Sequence, residues 1–141
     1  MYKRILVPVD MSNPEAGARS CPVANDMAKA SGAEVNVMSV LPGYNLPLIA
    51  SYFPEDAQSE MKAKILADMK VIADKYFDAA PELTVKTGKR AREILALADE
   101  WQADLIVFGC RPKDAIGGEL MLGSCGTAIA ERAKCNVFIA R

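Results

Sequence analysis

The residues best suited to chemistry lie in one stretch near the C-terminus. It reads Gly109-Cys110-Arg111-Pro112-Lys113-Asp114-Ala115-Ile116-Gly117-Gly118-Glu119-Leu120-Met121-Leu122-Gly123-Ser124. Glycine lets backbone N–H groups come close to an anion. The helix expected to begin after this stretch adds partial positive charge at its first turn. Ser124 supplies a hydroxyl donor, and Arg111 and Lys113 supply charge to neutralise a phosphate. A surface loop with glycine turns has the same composition, so position in the fold must decide between the two readings. Asp10 is the second candidate. It ends the apolar run Ile5–Val9. Its carboxylate can accept hydrogen bonds from a sugar hydroxyl or an adenine amine, and it also suits the start of a helix.

Composition removes most other chemistries. The chain has 141 residues and no histidine, which excludes Ser-His-Asp and Cys-His catalysis and the commonest zinc ligand. Lys plus Arg number 17 and Asp plus Glu 18, for a net charge of −1, with no basic run to track a nucleic acid. The four cysteines, Cys21, Cys110, Cys125 and Cys135, show no C-x-x-C spacing. They read as free thiols of the core, with Cys110 and Cys125 flanking the glycine-rich stretch as a place where oxidation would be felt. No apolar run is long enough for a bilayer, and the N-terminal run is too short for a signal peptide. The expected location is the cytoplasm, with no membrane and no nucleic-acid partner. The Walker pattern and G-x-G-x-x-G are both absent. The turn after the first strand is too short and glycine-free for a flavodoxin-type phosphate loop, and the third strand ends in Lys86-Thr87-Gly88 rather than a phospho-accepting aspartate.

Hydrophobic periodicity lays out the elements that must position these residues. Ile5–Val9 reads as a buried strand. Ser12 and Glu15 form a capping box with Pro14 in the first helical turn. The helix that follows carries Ala16, Cys21, Ala24, Met27, Ala28 and Ser31 on one face and stops at Gly32. Glu34–Val40 is a second strand, and Leu41–Pro54, with Tyr44, Tyr52 and Phe53, is a long loop that reads as a lid or a partner surface. Glu55–Phe77 is an amphipathic helix with Met61, Ile65, Met69, Ile72 and Tyr76 on its apolar face. Glu82–Thr87 alternates as an edge strand, with Leu83, Val85 and Thr87 inward. Arg90–Trp101 is a helix with Ala91, Ile94, Leu95, Ala98 and Trp101 buried. Asp104–Gly109 is a central strand, Cys110–Leu120 a loop, Met121–Ala133 the last helix and Asn136–Ala140 the last strand.

Strict alternation of strand and helix predicts an α/β fold, one domain over residues 1–141. Its sheet is doubly wound, five-stranded and parallel, in the order 3-2-1-4-5, with helices on both faces. Such sheets bind ligands beyond the carboxyl ends of the strands where strand order reverses. That point lies between strands one and four, so Pro8–Ser12 and Gly109–Ser124 face one another there.

The motifs then resemble the universal stress protein family. The likeness rests on Ile5-Leu6-Val7-Pro8-Val9-Asp10-Met11-Ser12, Val37-Met38-Ser39-Val40, Gly88 with Glu93-Ile94-Leu95, and Ala103-Asp104-Leu105-Ile106-Val107-Phe108-Gly109. Its most specific part is Leu122-Gly123-Ser124 with Ala128 and Cys135-Asn136-Val137-Phe138-Ile139. The resemblance implies a dimeric α/β domain and, in one subfamily, ATP or AMP held through G-x2-G-x9-G-[ST]. Gly109 matches the first glycine and Gly123-Ser124 the end. Pro112 replaces the second glycine and has no N–H to offer, and one extra residue precedes Gly123. Arg111-Pro112 places the chain nearest the Arg-Pro variants of that loop. Carried over, the adenine contacts fall on Pro8, Val9, Asp10 and Val40. Ribose and phosphate contacts fall on Gly109, Arg111, Gly123, Ser124 and Cys125. The implied function is a regulatory module of the stress response that binds an adenine nucleotide, ATP or AMP, with or without Mg2+, and lacks rapid catalysis. The alternatives are a dimeric interaction protein that binds no nucleotide, and a slow ATPase or autokinase using Ser124 or Thr127. The resemblance pairs strand five across a homodimer axis, and Val137, Phe138 and Ile139 are an apolar edge that wants cover.

Overall fold

The computed structural model describes residues 1–13, 15–42, 55–112, 120–121 and 123–141. Its large sheet contains β1 (Arg4–Pro8), β2 (Glu34–Pro42), β3 (Glu82–Gly88), β4 (Leu105–Gly109) and β7 (Asn136–Ala140). All pairings in it are parallel and the order is β3-β2-β1-β4-β7, which is 3-2-1-4-5 counted within the sheet. The helices are α1 (Ser20–Ser31), α2 (Glu55–Tyr76), α3 (Arg90–Glu100) and α4 (Gly123–Arg132). The predicted architecture is therefore the observed one.

The near-continuous apolar runs of β1 and β4 follow from burial on both faces. Ile5, Val7, Leu105 and Val107 point to one face, where they meet Cys21 and Ala24 of α1 and Met69 and Ala73 of α2. Leu6, Ile106 and Phe108 point to the other, against Ile94, Leu97 and Ala98 of α3 and Ile129 of α4. Alternation along a strand thus divides the core into two layers. Each fully buried Ile, Leu or Val in it is worth about 1.5–3 kcal/mol of transfer free energy.

Local readings depart from the structure in several places. The capping box does not form. The Ser12 hydroxyl and N–H both donate to Asp10 Oδ1, at 2.6 and 3.1 Å, a local Asx turn that competes with helix initiation. Gly17 then adopts φ +79°, and α1 starts only at Ser20. In α2 the predicted stripe holds at Ile65, Met69, Ile72 and Tyr76, joined by Ala73, but Met61 is exposed. In β3 Leu83 and Val85 pack inward but Thr87 is exposed at the strand's end. Finally, the stretch read as loop contains β5 (Arg111–Pro112) paired antiparallel with β6 (Leu120–Met121). Pro14, most of the long loop with Tyr44, Tyr52 and Phe53, and the segment holding Gly117 and Gly118 lie outside the described residues.

Candidate functional site

Because every large-sheet strand runs the same way, the chain leaving β1 and the chain leaving β4 emerge on one rim. The helices that follow present their N-termini there. Between them lies a cavity of about 440 Å³ lined by Pro8, Val9 and Asp10 from β1's exit, Gly109 and Cys110 from β4's exit, and Gly123, Ser124 and Cys125 from the first turn of α4. The volume falls in the roughly 300–1,000 Å³ range of small-molecule sites. Gly123, the first residue of α4, has φ +74°, a left-handed conformation that glycine adopts readily, and a Cβ there would meet nothing within 4 Å. The α4 start is open, and Ser124 is exposed.

Seven of the nine candidate residues line this cavity. Arg111 lies in β5, opposite Met121, and its side chain is outside the described set. Val40 is placed elsewhere: it packs against the core layer beneath α3. Val9 is tied to the sheet beyond the end of β1, its N–H donating to Met38 O at 2.8 Å, which pins the cavity's apolar wall. Gly109 passes close to α1: a Cβ there would lie 3.7 Å from Ser20 Cβ. Thr127, the second hydroxyl considered for slow turnover, donates to Gly123 O at 2.7 Å within α4.

Sequence reading missed the cations and acids of the opposite wall. Arg90, the first residue of α3, lines the cavity and places Nη1 3.3 Å from Asp10 Oδ2. The two side chains are 32% and 20% exposed, so the pair is partly shielded from water. Asn13, Glu15, Ala16, Gly17, Arg19 and Ser20 complete the wall. One signal was present. A cation at a helix N-terminus opposes the dipole, so Arg90 there asks for an anionic partner or ligand. Asp10 supplies part of that partner and is itself oriented by Ser12. The site therefore combines a carboxylate, two guanidinium groups, apolar residues Pro8, Val9 and Phe108, and the first turn of α4.

This geometry fits a ligand with a flat apolar part, hydroxyls and an anionic group. Among the described residues no group of three Cys, Asp or Glu side chains is placed to hold a metal.

A universal stress protein of Methanocaldococcus jannaschii is 28% identical over 150 residues, covering 100% of this chain and 83% of its own. The structure of a universal stress protein from Archaeoglobus fulgidus superposes with a TM-score of 0.75 at 25% identity, covering both chains fully. A universal stress protein solved in complex with cAMP superposes with a TM-score of 0.68 at 25% identity, covering 99% of this chain and 97% of that one. The model of the universal stress protein family matches residues 1–141, and the chain belongs to that family.

Proposed function

We infer that this protein is a nucleotide-binding regulatory module of the stress response, holding ATP or AMP without rapid turnover. The observation that carries the reading is the switch-point cavity, where the exits of β1 and β4 meet the open first turn of α4. A related structure in complex with cAMP supports it. Pro8 and Val9 form the slot for the base. Asp10 accepts from the ribose or the base amine. Gly109, Arg111, Gly123, Ser124 and Cys125 surround the ribose and phosphates, with Arg19 and Arg90 neutralising charge. When Mg2+ accompanies the nucleotide it is held mainly through the phosphates. The proposed setting is the cytoplasm. The proposed assembly is a homodimer through the β7 edge, where Phe138 is 40% exposed and Val137 and Ile139 are half-buried.

Calorimetric titration of the purified chain with ATP, AMP and cAMP, with and without Mg2+, tests the reading. Saturable binding by one or more of them is expected. Absence of saturation at millimolar ligand ends it and leaves a scaffold that binds no nucleotide, a reading that Pro112, with no N–H to donate, favours. Sedimentation of the wild type against Phe138→Lys checks the dimer: the variant should run as a monomer.

A further inference from the structure

Among the described residues the charged side chains that line the cavity are Asp10, Glu15, Arg19 and Arg90. Arg90 has a counter-charge, since its Nη1 lies 3.3 Å from Asp10 Oδ2. Arg19 has none: among the described residues its side chain makes no hydrogen bond, ion pair or ring contact. Its ordinary partner would be Glu15, four residues earlier. Gly17 stands between the two at φ +79°, and α1 starts only at Ser20, so no helical turn brings them together. Glu15 is exposed, where water and salt screen it. The stem of Arg19 is held in place. Its Cβ lies 3.8 Å, and Ser20 Cβ 3.7 Å, from where a Cβ on Gly109 would stand, so the start of α1 packs against the exit of β4. Ser20 and Cys21, directly after it, are buried. Helix α1 packs on one face of the sheet and α3 and α4 on the other, so Arg19 and Arg90 line the cavity from opposite sides. A half-buried guanidinium without a counter-charge gives up hydration that nothing in the protein returns. Phosphate oxygens match its planar fork of donors.

We propose that Arg19 is the specificity-determining residue by which this cavity tells a nucleotide from a nucleoside, its guanidinium donating to the phosphate from the α1 side. Arg90 has a different part. Its charge is shared with Asp10, whose Oδ1 accepts from Ser12 and whose Oδ2 faces Arg90, so Arg90 acts on the ligand chiefly by holding that carboxylate. Arg19 lies outside the glycine pattern that located the site, and its role follows from the cavity alone. The division makes affinity depend on Arg19 only when the ligand carries a phosphate. The identity of the ligand rests on the nucleotide reading above; the demand for an anion rests on the unpaired cation.

The test compares the full-length wild type with Arg19→Met, Arg19→Lys and Arg90→Ala. Each is titrated calorimetrically with adenosine and with whichever of ATP, AMP and cAMP binds the wild type most tightly. Melting midpoints are also measured in inorganic phosphate and in chloride of equal ionic strength. The wild type should prefer the nucleotide over adenosine by about tenfold or more. Arg19→Met should bind the two within about threefold of each other, and Arg19→Lys should keep part of the preference. Inorganic phosphate should raise the midpoint of the wild type more than that of Arg19→Met. If the wild type binds the nucleotide and the preference survives Arg19→Met, or is erased by Arg90→Ala alone, the role of Arg19 is refuted and the nucleotide reading stands. Equal binding of nucleotide and adenosine by the wild type refutes it in the same way. If no nucleotide binds but phosphate protects the wild type and not Arg19→Met, Arg19 stands as an anion contact and the function proposed above falls. If neither nucleotide nor phosphate has any effect, both fall.

Discussion

The two ends of β1 and β4 are built for opposite purposes. At their N-terminal ends the chain is tied shut. Asp104 accepts the N–H groups of Lys3 and Arg4 at 2.8 and 3.0 Å, and its own N–H donates to Arg4 O. Arg4 Nη1 donates to Trp101 O at 2.9 Å, and its guanidinium lies 5.8 Å from the centroid of the Trp101 ring. At the C-terminal ends the same two strands part around a cavity, in whose lining Asp10 is paired with Arg90. One end ties the fold and the other carries the candidate site, because in a parallel sheet the helix N-termini all gather at one rim.

Substitutions at either end sharpen or break that division. The largest effect is expected at Gly17, in the cavity wall. Its φ of +79° strains any side chain, and a Cβ would lie 2.8 Å from Cys21 Sγ and 3.1 Å from Ile72 Cγ2. Gly17→Val should cost about 2–4 kcal/mol in urea unfolding. A variant as stable as the wild type would show that the wall is not built this way. Next is Arg90→Ala, which should weaken cAMP binding about tenfold while leaving the urea midpoint nearly unchanged, since the helix start loses an opposed charge. Equal losses of stability and binding would merge the two ends into one.

Asp104→Ala is the mirror experiment. Losing two charge-assisted backbone contacts should lower stability by about 1–2 kcal/mol, with cAMP affinity within about twofold of the wild type. A large binding defect would overturn the division. The smallest effect belongs to a pair remote from both ends. Lys29 Nζ lies 2.9 Å from Asp78 Oδ2. The hydrogen bond from Lys29, then that from Asn25, holds the Asp78 carboxyl below its usual range. The same bond to Asp78 raises the Lys29 ammonium. A depressed carboxyl contributes stability above its unfolded value and loses it as pH falls through the folded one. Lys29→Met should therefore lower stability slightly at neutral pH, because the pair is exposed, and the difference from the wild type should vanish as pH falls through the Asp78 value. A shift at neutral pH as large as that of Asp104→Ala would contradict this.

The strands, the helices, their order and the reversal point were legible in the sequence, because burial on two faces imposes apolar runs and a 3.6 period that a chain carries locally. Pro8, Val9, Asp10, Gly109, Gly123, Ser124 and Cys125 could be assigned to one rim for the same reason: parallel topology leaves their segments nowhere else to emerge. Arg90 could not be assigned in that way. Its approach to Asp10, eighty residues earlier, depends on how α3 crosses β2 to reach β4. The pairing of Arg111 with Met121 carries no periodic signal in two-residue strands. The late start of α1 was hidden because Ser12 had two acceptors within reach of its local options and the folded turn chose Asp10. Local pattern determined which elements exist and on which rim they end. Which side chains meet across that rim was decided only by tertiary packing, since contacts between distant segments depend on crossover geometry that no short window of sequence encodes.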